Sequence, residues 1–414
     1  HANVLSCRSA PSNKSRYLIS RIHPRDRTAP SAAVSSYTTD TLTMGRGKYP
    51  HVAVIGVGGV GTQVMEQMNA NPFHGFQLVA VCSSKRMLIS TKDTCLKPVA
   101  WKDALNASET PVDFSAVQSA LRELAEQGET AVFIDNTSSQ AVAEMYPGLL
   151  DAGIAVVTPN KKAFSGEVAL YQGIVLADAK RGKYLYESTV GAGLPIISTL
   201  KDLVETGDKV LKIEGVFSGT MSYIFNNFSA VEGSNESFSS IVKVARAQGY
   251  TEPNPADDLN GADVARKLTI LARIIPEMKD EQGNFPLLHG YRSVETTSLI
   301  QDAPSSAVSN GDEFMKWLPE QDAHFAQMRE QAANEGSVLR YVGVVDVKNK
   351  IVKAELAKYP KTHPFATSLG GSDNIIMFHT ERYGKRPLIV QGAGAGNDVT
   401  AMGVMSDVLK LMRP

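Results

Sequence analysis

An acidic and a basic residue, Asp263 and Lys267, stand four positions apart in the segment LNGADVARK, residues 259–267. On a helix, this spacing puts both side chains on one flank, about 60 to 100° from the apolar stripe that begins at Val264. Lys267 should therefore be half-buried, and the loss of hydration would lower its pKa while a nearby carboxylate opposes that change. Such a lysine could act as a general acid or base. The same spacing is that of a surface ion pair, and taken alone it favours the surface pair.

The residues before this helix form an acidic loop. Its carboxylates are Glu252, Asp257, Asp258 and Asp263. Pro253, Pro255 and the Asn260-Gly261 pair keep the first half of the segment out of a helix. The sequence therefore predicts a rigid, acidic loop that leads directly into the helix of Lys267.

A glycine-rich turn is the second candidate for chemistry. Gly56, Gly58 and Gly61 have the G-x-G-x-x-G spacing, directly after the apolar run HVAVIG and at the start of an amphipathic segment. Glycines there let the backbone approach a pyrophosphate, which the helix N-terminus then stabilises. The motif predicts dinucleotide binding, and the alternative is a turn needed only for packing.

The end of the next apolar run indicates which dinucleotide would bind. An acid at this position would bind the ribose hydroxyls of NAD, but the sequence there is Cys82, Ser83, Ser84, Lys85 and Arg86. The two cations favour a 2′-phosphate, and hence NADP(H) over NAD(H). The alternative is that they belong to a solvated helix start.

Three further segments follow predicted strands. TPNKKAFSG (158–166) puts Lys161 and Lys162 beyond a parallel strand's carboxyl end, where ligands of open α/β sheets bind. ESTVGAGLP (187–195) could direct several backbone carbonyls toward one monovalent cation. QGAGAGNDVT could form a second wall of the cofactor site. Each of these could instead be a plain connection.

The elements that must position these residues follow an α/β pattern. Apolar β-runs alternate with amphipathic segments, which predicts a doubly wound Rossmann domain over 48–190, completed by 387–414. Over residues 191–386 the pattern changes, and it predicts an α+β catalytic and dimerisation domain with a mixed sheet. Residues 1–47 are rich in Ser and Arg and predict a disordered extension. The β-runs of the first domain are HVAVIG, FQLVAVC, TAVFIDNTS, GIAVVTPN and KYLYEST.

Composition narrows the class of partner. The 414 residues carry a formal charge of −1 and are 43% hydrophobic, which favours small-molecule partners over nucleic acid. No apolar run approaches the roughly 18 to 20 residues that span a bilayer, so no membrane partner is expected. Cys7, Cys82 and Cys95 are too few and too uneven for a disulfide framework, so a cytoplasmic location is expected. The N-terminal composition resembles an organellar transit peptide, which makes mitochondria the alternative.

Taken together, the motifs resemble one family. The matching residues are Ala245, Gly249, Tyr250, Thr251, Asn254, Pro255, Asp258, Leu259, Gly261, Asp263 and Lys267, with the blocks DNTSS, TPNKKAFS, ESTVGAGLPI, FSGTMSYIFN and QGAGAG. From about residue 50 to 412, the chain resembles homoserine dehydrogenase of the monofunctional fungal type. The resemblance implies reversible NAD(P)-dependent reduction of L-aspartate 4-semialdehyde to L-homoserine, on the route to threonine, methionine and isoleucine, by a homodimer.

The resemblance also implies roles for particular residues. Lys267 would donate the proton, with Lys161 close to the reacting groups. Carboxylates of the acidic loop, at Glu252, Asp258 and Asp263, would bind the amino-acid substrate, whose ammonium group needs negative partners. The cofactor would be lined by Gly56, Gly58, Gly59, Val60, Gly61, Lys85, Arg86, Thr137, Lys161, Gly249 and Gly396. A sodium ion would lie at Glu187, Val190, Ala192 and Leu194, held largely by backbone carbonyls.

Two other functions fit less well. An aspartate-semialdehyde dehydrogenase needs a cysteine nucleophile, yet Cys82 and Cys95 lie in the cofactor domain and no cysteine follows them. A non-enzymatic NADP(H)-binding sensor would keep the glycine turn but would not need both Asp263 and Lys267.

Overall fold

The computed structural model describes residues 49–70, 75–90, 96, 98–178 and 183–412. The expected disordered extension, residues 1–47, lies outside the described residues, as do Cys7 and Cys95. Within the part that is described, no helix is both long and apolar enough to cross a membrane.

The first lobe is built on a six-stranded sheet in the order β3-β2-β1-β4-β5-β6. Its strands are β1 (His51–Ile55), β2 (Gln77–Cys82), β3 (Met87–Ile89), β4 (Ala131–Asp135), β5 (Ala155–Val157) and β6 (Tyr184–Leu185). Neighbouring strands are parallel except at the edge, where β3 runs antiparallel to β2. The predicted Rossmann architecture is confirmed, with a short antiparallel edge strand that the sequence did not indicate.

Helices cover both faces of this sheet. They are α1 (Gly59–Ala70), α2 (Trp101–Ala107), α3 (Phe114–Glu126), α4 (Gln140–Ala143), α5 (Tyr146–Asp151), α6 (Lys162–Ser165) and α7 (Val168–Asp178). Val52 and Val54 of β1 pack into the core that contains α1, while Ala53 and Ile55 face the core that contains α3 and α5. Successive residues of a strand point to opposite faces, so a strand buried on both faces reads as an unbroken apolar run.

The second lobe has a six-stranded sheet in the order β12-β11-β7-β9-β10-β8. Its pairs are antiparallel, except that the short β8 runs parallel to β10, so the predicted mixed sheet is confirmed. Its strands are β7 (Val210–Val216), β8 (Glu295–Thr296), β9 (Ser337–Asp346), β10 (Ile351–Pro360), β11 (Asp373–Thr380) and β12 (Leu388–Ala393). The helices of this part of the chain are α8 (Ile197–Glu205), α9 (Gly219–Phe228), α10 (Phe238–Ala247), α11 (Ala256–Leu259), α12 (Ala262–Ile274), α13 (Ser305–Val308), α14 (Gly311–Trp317), α15 (Asp322–Asn334) and α16 (Pro364–Thr367). The last helix of the chain is α17 (Asn397–Lys410).

Helix α12 lies on one face of the second sheet. Its predicted stripe, Val264, Leu268 and Leu271, is fully buried, and Leu268 packs against the backbone of Gly343 in β9. The helix begins after Gly261, which has a φ of 78°, and the Asn260 side chain accepts a hydrogen bond from the first helical amide. The apolar stripe thus fixes the rotation of α12 and aims the flank of Lys267.

The C-terminal segment divides between the two lobes. The sequence predicted that residues 387–414 complete the first domain, but β12 pairs with β11 and belongs to the second sheet. Its side chains alternate between half-buried and exposed, which suits an edge strand rather than a strand covered on both faces. The α17 residues Ala401 and Val404 instead join the core that contains α1. The chain therefore passes from the second lobe back to the first within the glycine-rich turn at residues 394–396.

Candidate active site

Two lysines from different lobes meet at one carboxylate. Lys267 Nζ lies 2.7 Å from Asp263 Oδ2 on α12, and Lys161 Nζ, at the end of β5, lies 3.3 Å from Asp263 Oδ1. Lys267 is only 7% exposed, so the surface-pair interpretation is wrong. Lys267 is therefore more deeply buried than its position on the helix predicted.

Among the described residues, the Lys267 ammonium has two acceptors, which leaves one of its N–H groups for a ligand. It donates to Asp263 and, over 2.7 Å, to the carbonyl oxygen of Phe217. That carbonyl also accepts a hydrogen bond from the buried Asn374 amide at 3.1 Å, which fixes its direction. An ammonium group has three donors, so two defined bonds aim the third one.

Charge and burial oppose each other at this cluster. Burial lowers the pKa of Lys267, Asp263 opposes that shift, and the nearby Lys161 ammonium adds to it, with a net lowering. Partial burial would raise the pKa of Asp263, but the two ammonium groups outweigh it and hold that pKa well below its usual range. Asp263 therefore stays ionised, while Lys267 is a stronger acid than a solvated lysine.

The acidic loop places a second carboxylate close by. Asp258 accepts hydrogen bonds from the Thr220 hydroxyl and the Glu252 backbone amide, each at 2.8 Å. Burial raises the pKa of Asp258 to about 6, and the charges of Glu252 and Asp263 act in the same direction. Glu252 is exposed at the mouth of the loop. Gly249 follows the C-terminal end of α10, and the Tyr250 carbonyl lies 2.7 Å from the Thr220 hydroxyl, whose single proton is shared between this oxygen and Asp258. A cationic ligand would relieve the repulsion among these carboxylates.

A buried network behind Lys161 was missed by sequence reasoning. Asp135, fully buried at the end of β4, accepts hydrogen bonds from the Tyr146 hydroxyl at 2.5 Å and the Asn160 amide at 3.0 Å. Thr158 donates to the Asp135 carbonyl at 2.7 Å. These bonds join the carboxyl ends of β4 and β5 and fix the loop that carries Lys161. The sequence signal that could have revealed this network is Asp135 itself, an acidic residue at the end of an apolar run.

The predicted glycine turn has the geometry of a dinucleotide site. The Gly56 amide donates to the Cys82 carbonyl at 2.8 Å, which places the turn beside the end of β2. A methyl group at Gly61 would overlap the Gly56 carbonyl oxygen, so the turn closes only with glycine there. Gly58 directly precedes α1, and Gly59 and Val60 are the first residues of this helix, whose N-terminus suits a pyrophosphate.

Other residues predicted to bind the cofactor surround this turn. The Thr137 methyl group packs against Gly56, and Asn397, next to Gly396, packs against Gly59. Beside Thr137, both side-chain polar atoms of Asn136 are buried and have no hydrogen-bond partner among the described residues. Orphaned polar atoms at this place fit a bound polar group.

The cations after β2 lie on a tight turn. The Ser83 hydroxyl accepts hydrogen bonds from the Lys85 and Arg86 amides at 3.2 and 3.0 Å, and both cationic side chains are exposed. Arg86 also donates to the Asn106 carbonyl.

Burial raises the pKa of Cys82 to about 12, so this thiol is unsuited to act as a nucleophile.

The predicted sodium segment is occupied in part by protein contacts. The Glu187 carboxylate accepts hydrogen bonds from the Ile197 and Ser198 amides at 2.7 and 3.0 Å, and so caps α8. Ala192 adopts a left-handed φ of 55°, which turns the chain between the carbonyls of Val190 and Leu194. The described residues include no group of three His, Cys, Asp or Glu side chains suited to a metal ion. A cation in this segment would therefore need backbone carbonyls among its ligands.

A Rossmann lobe with a glycine-rich turn, joined to a second lobe that supplies a buried lysine–carboxylate pair, defines an NAD(P)-dependent oxidoreductase. The homoserine dehydrogenase family model matches residues 195–409, and the model of the homoserine dehydrogenase NAD binding domain matches residues 56–187. The chain belongs to the homoserine dehydrogenase family, as its motifs indicated.

Individual relatives agree with the family models. Homoserine dehydrogenase of Schizosaccharomyces pombe is 44% identical over 371 residues, 87% of this chain and 95% of that protein. The Emericella nidulans enzyme is 47% identical over 368 residues, 87% of this chain and 98% of that protein. A crystal structure of a Candida auris protein of unknown function superposes with a TM-score of 0.79 at 42% identity, covering 88% of this chain and 98% of that one.

Gly61→Ala should weaken NADPH binding by at least about tenfold, roughly 1.4 kcal/mol, because the new methyl group opens the turn. Fluorescence titration with NADPH measures the effect. Gly148→Ala, in α5, is the matched control, since its methyl group meets no atom closer than 4.0 Å. Equal affinities in the two variants would show that the turn does not contact the cofactor.

Proposed function

We propose that the protein catalyses the reversible NAD(P)H-dependent reduction of L-aspartate 4-semialdehyde to L-homoserine, on the route to threonine, methionine and isoleucine. The observation that carries the proposal is the buried Lys267 ammonium, which bonds to Asp263 and Phe217 and, within the described part of the chain, has no acceptor for its third N–H. Relatives that are 44% and 47% identical are homoserine dehydrogenases, so a non-enzymatic sensor is not favoured.

The residues of this chain perform the acid–base and binding parts of the reaction. NADPH, when bound, supplies the hydride. As charge grows on the aldehyde oxygen, Lys267 donates the proton that neutralises it, and Lys161 adds a second positive charge nearby. Asp263 keeps Lys267 protonated before the step. Glu252, Asp258 and Asp263 bind the substrate's ammonium group.

Activity is tested by mixing the protein with NADPH and L-aspartate 4-semialdehyde and following the absorbance of NADPH. Oxidation of NADPH that depends on both substrates supports the proposal. A rate no greater than that of heat-denatured protein would rule it out.

Lys267→Met should reduce kcat for semialdehyde reduction by at least about 100-fold, because general acid catalysis is lost. The dissociation constant for NADPH should stay within about twofold, since the glycine turn is untouched. Lys243→Met, on the exposed face of α10, is the control for a lost surface cation. If the Lys267 variant retains more than about a tenth of the activity, another group donates the proton.

We also propose that the cofactor is NADP(H) in preference to NAD(H). Combining Lys85→Ala with Arg86→Ala should weaken NADPH about tenfold and NADH less than about twofold, because only NADPH carries the 2′-phosphate. The exposed pair Lys102→Ala with Arg122→Ala removes the same formal charge elsewhere in this lobe and serves as control. Equal losses for both cofactors would refute the preference.

A sodium ion is proposed at the carbonyls of Glu187, Val190, Ala192 and Leu194, supported by the left-handed turn at Ala192. A cation that binds the folded state raises the melting temperature. We expect a higher melting temperature in sodium chloride than in choline chloride of equal ionic strength. Equal melting curves in the two salts would argue against the site.

We further propose a homodimer in the cytoplasm. The support for the dimer is the resemblance to the family, together with an apolar cluster on the sheet face opposite α12 that is buried within the chain and includes Val216, Ile375 and Met377. It continues to the partly exposed Ile389 on the edge strand β12.

A further inference from the structure

A fully buried arginine, Arg273, links α12 to the lobe that carries Lys161. Its guanidinium donates to the Phe164 carbonyl at 2.8 Å, the Gly166 carbonyl at 2.7 Å and the Leu287 carbonyl at 2.9 Å. Arg273 lies less than two turns after Lys267 on the same helix. A single rigid helix therefore holds both the buried lysine and the contact to the other lobe.

The carbonyls that Arg273 binds belong to the segment that positions Lys161. Phe164 is in α6 and Gly166 directly follows it, while Lys161 immediately precedes this short helix. The Ser165 hydroxyl donates back to the Lys161 carbonyl at 2.7 Å. A shift of α6 relative to α12 would therefore change the separation between Lys161 and Asp263.

A third segment, residues 287–292, packs against both Arg273 and the end of α6. Leu287 has a left-handed φ of 59°, a conformation that costs a non-glycine residue roughly 1 to 3 kcal/mol. Its carbonyl faces Arg273, and the Leu288 carbonyl accepts a hydrogen bond from the Val168 amide at 2.9 Å. The backbone at Gly290 packs so closely on the Ser165 and Gly166 carbonyls that a methyl group would overlap them.

The buried charge of Arg273 is unfavourable in itself and is offset by its hydrogen bonds to the three carbonyls. Burial lowers the pKa of Arg273 to about 10, and its Nε has no hydrogen-bond partner among the described residues. A buried cation without an opposite charge is costly, but its replacement by an apolar side chain would leave three carbonyls without their donor and would also lower stability. What arginine supplies is a planar set of donors that fixes three backbone segments at once.

We propose that Arg273 is a positioning residue that sets the distance between Lys161 and Asp263 across the two lobes, a role that rests on the proposed dehydrogenase function. In the proposed reaction Lys161 lies close to the reacting groups, whereas Arg273 acts through the backbone of the segment that carries Lys161. The charged groups that face Lys267 are Asp263, Asp258 and Lys161. Moving Lys161 away removes a positive charge, so the pKa of Lys267 rises and the protonated donor persists to higher pH.

The test compares Arg273→Met with Arg340→Met. Arg340 is equally buried, lies within the second lobe and, like Arg273, bonds to backbone carbonyls and to no other acceptor among the described residues. We expect both variants to melt at a lower temperature than the wild type. Arg273→Met alone should raise KM for L-aspartate 4-semialdehyde at least about fivefold and move the basic limb of kcat for reduction to higher pH, with the NADPH dissociation constant within about twofold.

Kinetic constants and a basic limb that match those of Arg340→Met would overturn the proposal. Arg273→Lys keeps a cation and covers the case in which Arg273→Met does not fold, and it should show the same changes to a smaller degree. A crystal structure of Arg273→Lys supplies a readout that does not need activity. The separation of Lys161 Nζ and Asp263 Oδ1 should exceed the 3.3 Å of the wild-type chain, and an unchanged separation would refute the role even if the proposed function failed.

Discussion

One carboxylate shared by two ammonium groups is the interaction on which the site depends. Asp263 binds Lys267 from its own helix and Lys161 from the other lobe. Without the carboxylate, two positive charges would lie close together, one of them buried, and the lysine most easily neutralised would lose its proton. The carboxylate opposes the loss of the Lys267 proton, while the proximity of Lys161 makes that proton easier to give up.

This arrangement needs a scaffold that prevents the lobes from separating. The Asp135 network fixes the loop of Lys161 from behind, and Gly261 starts α12 at the point where the acidic loop ends. Asn374 and Lys267 share the Phe217 carbonyl, so β11, the end of β7 and α12 meet at one oxygen atom. Each of these contacts is buried, where a missing partner costs about 1 to 3 kcal/mol, so the geometry has few alternatives.

The features that the sequence predicted share one property, since each rests on local periodicity or on a short motif. The stripe from Val264 placed Lys267 on the correct flank, and the Gly56 motif identified the dinucleotide turn. Local pattern could not show that β12 belongs to the second sheet, because a strand and its partner are chosen by tertiary packing. Nor could it join Asp135 to Asn160 or Arg273 to Phe164, since those pairs are 25 and 109 residues apart. Surface-pair spacing at Asp263 and Lys267 misled for the same reason, because burial is a property of the whole fold.

Burial lowers the pKa of the Lys267 ammonium, and the charges of Asp263 and Lys161 adjust it in opposite directions. The most direct measurement is an NMR titration of lysine side chains labelled with ¹³C at Cε, with the Lys267 signal assigned from its absence in a Lys267 variant. The account predicts a midpoint below the ordinary value of 10.5, and a higher midpoint when Lys161 is replaced by Met. A midpoint at or above 10.5 that does not respond to the loss of Lys161 would contradict it.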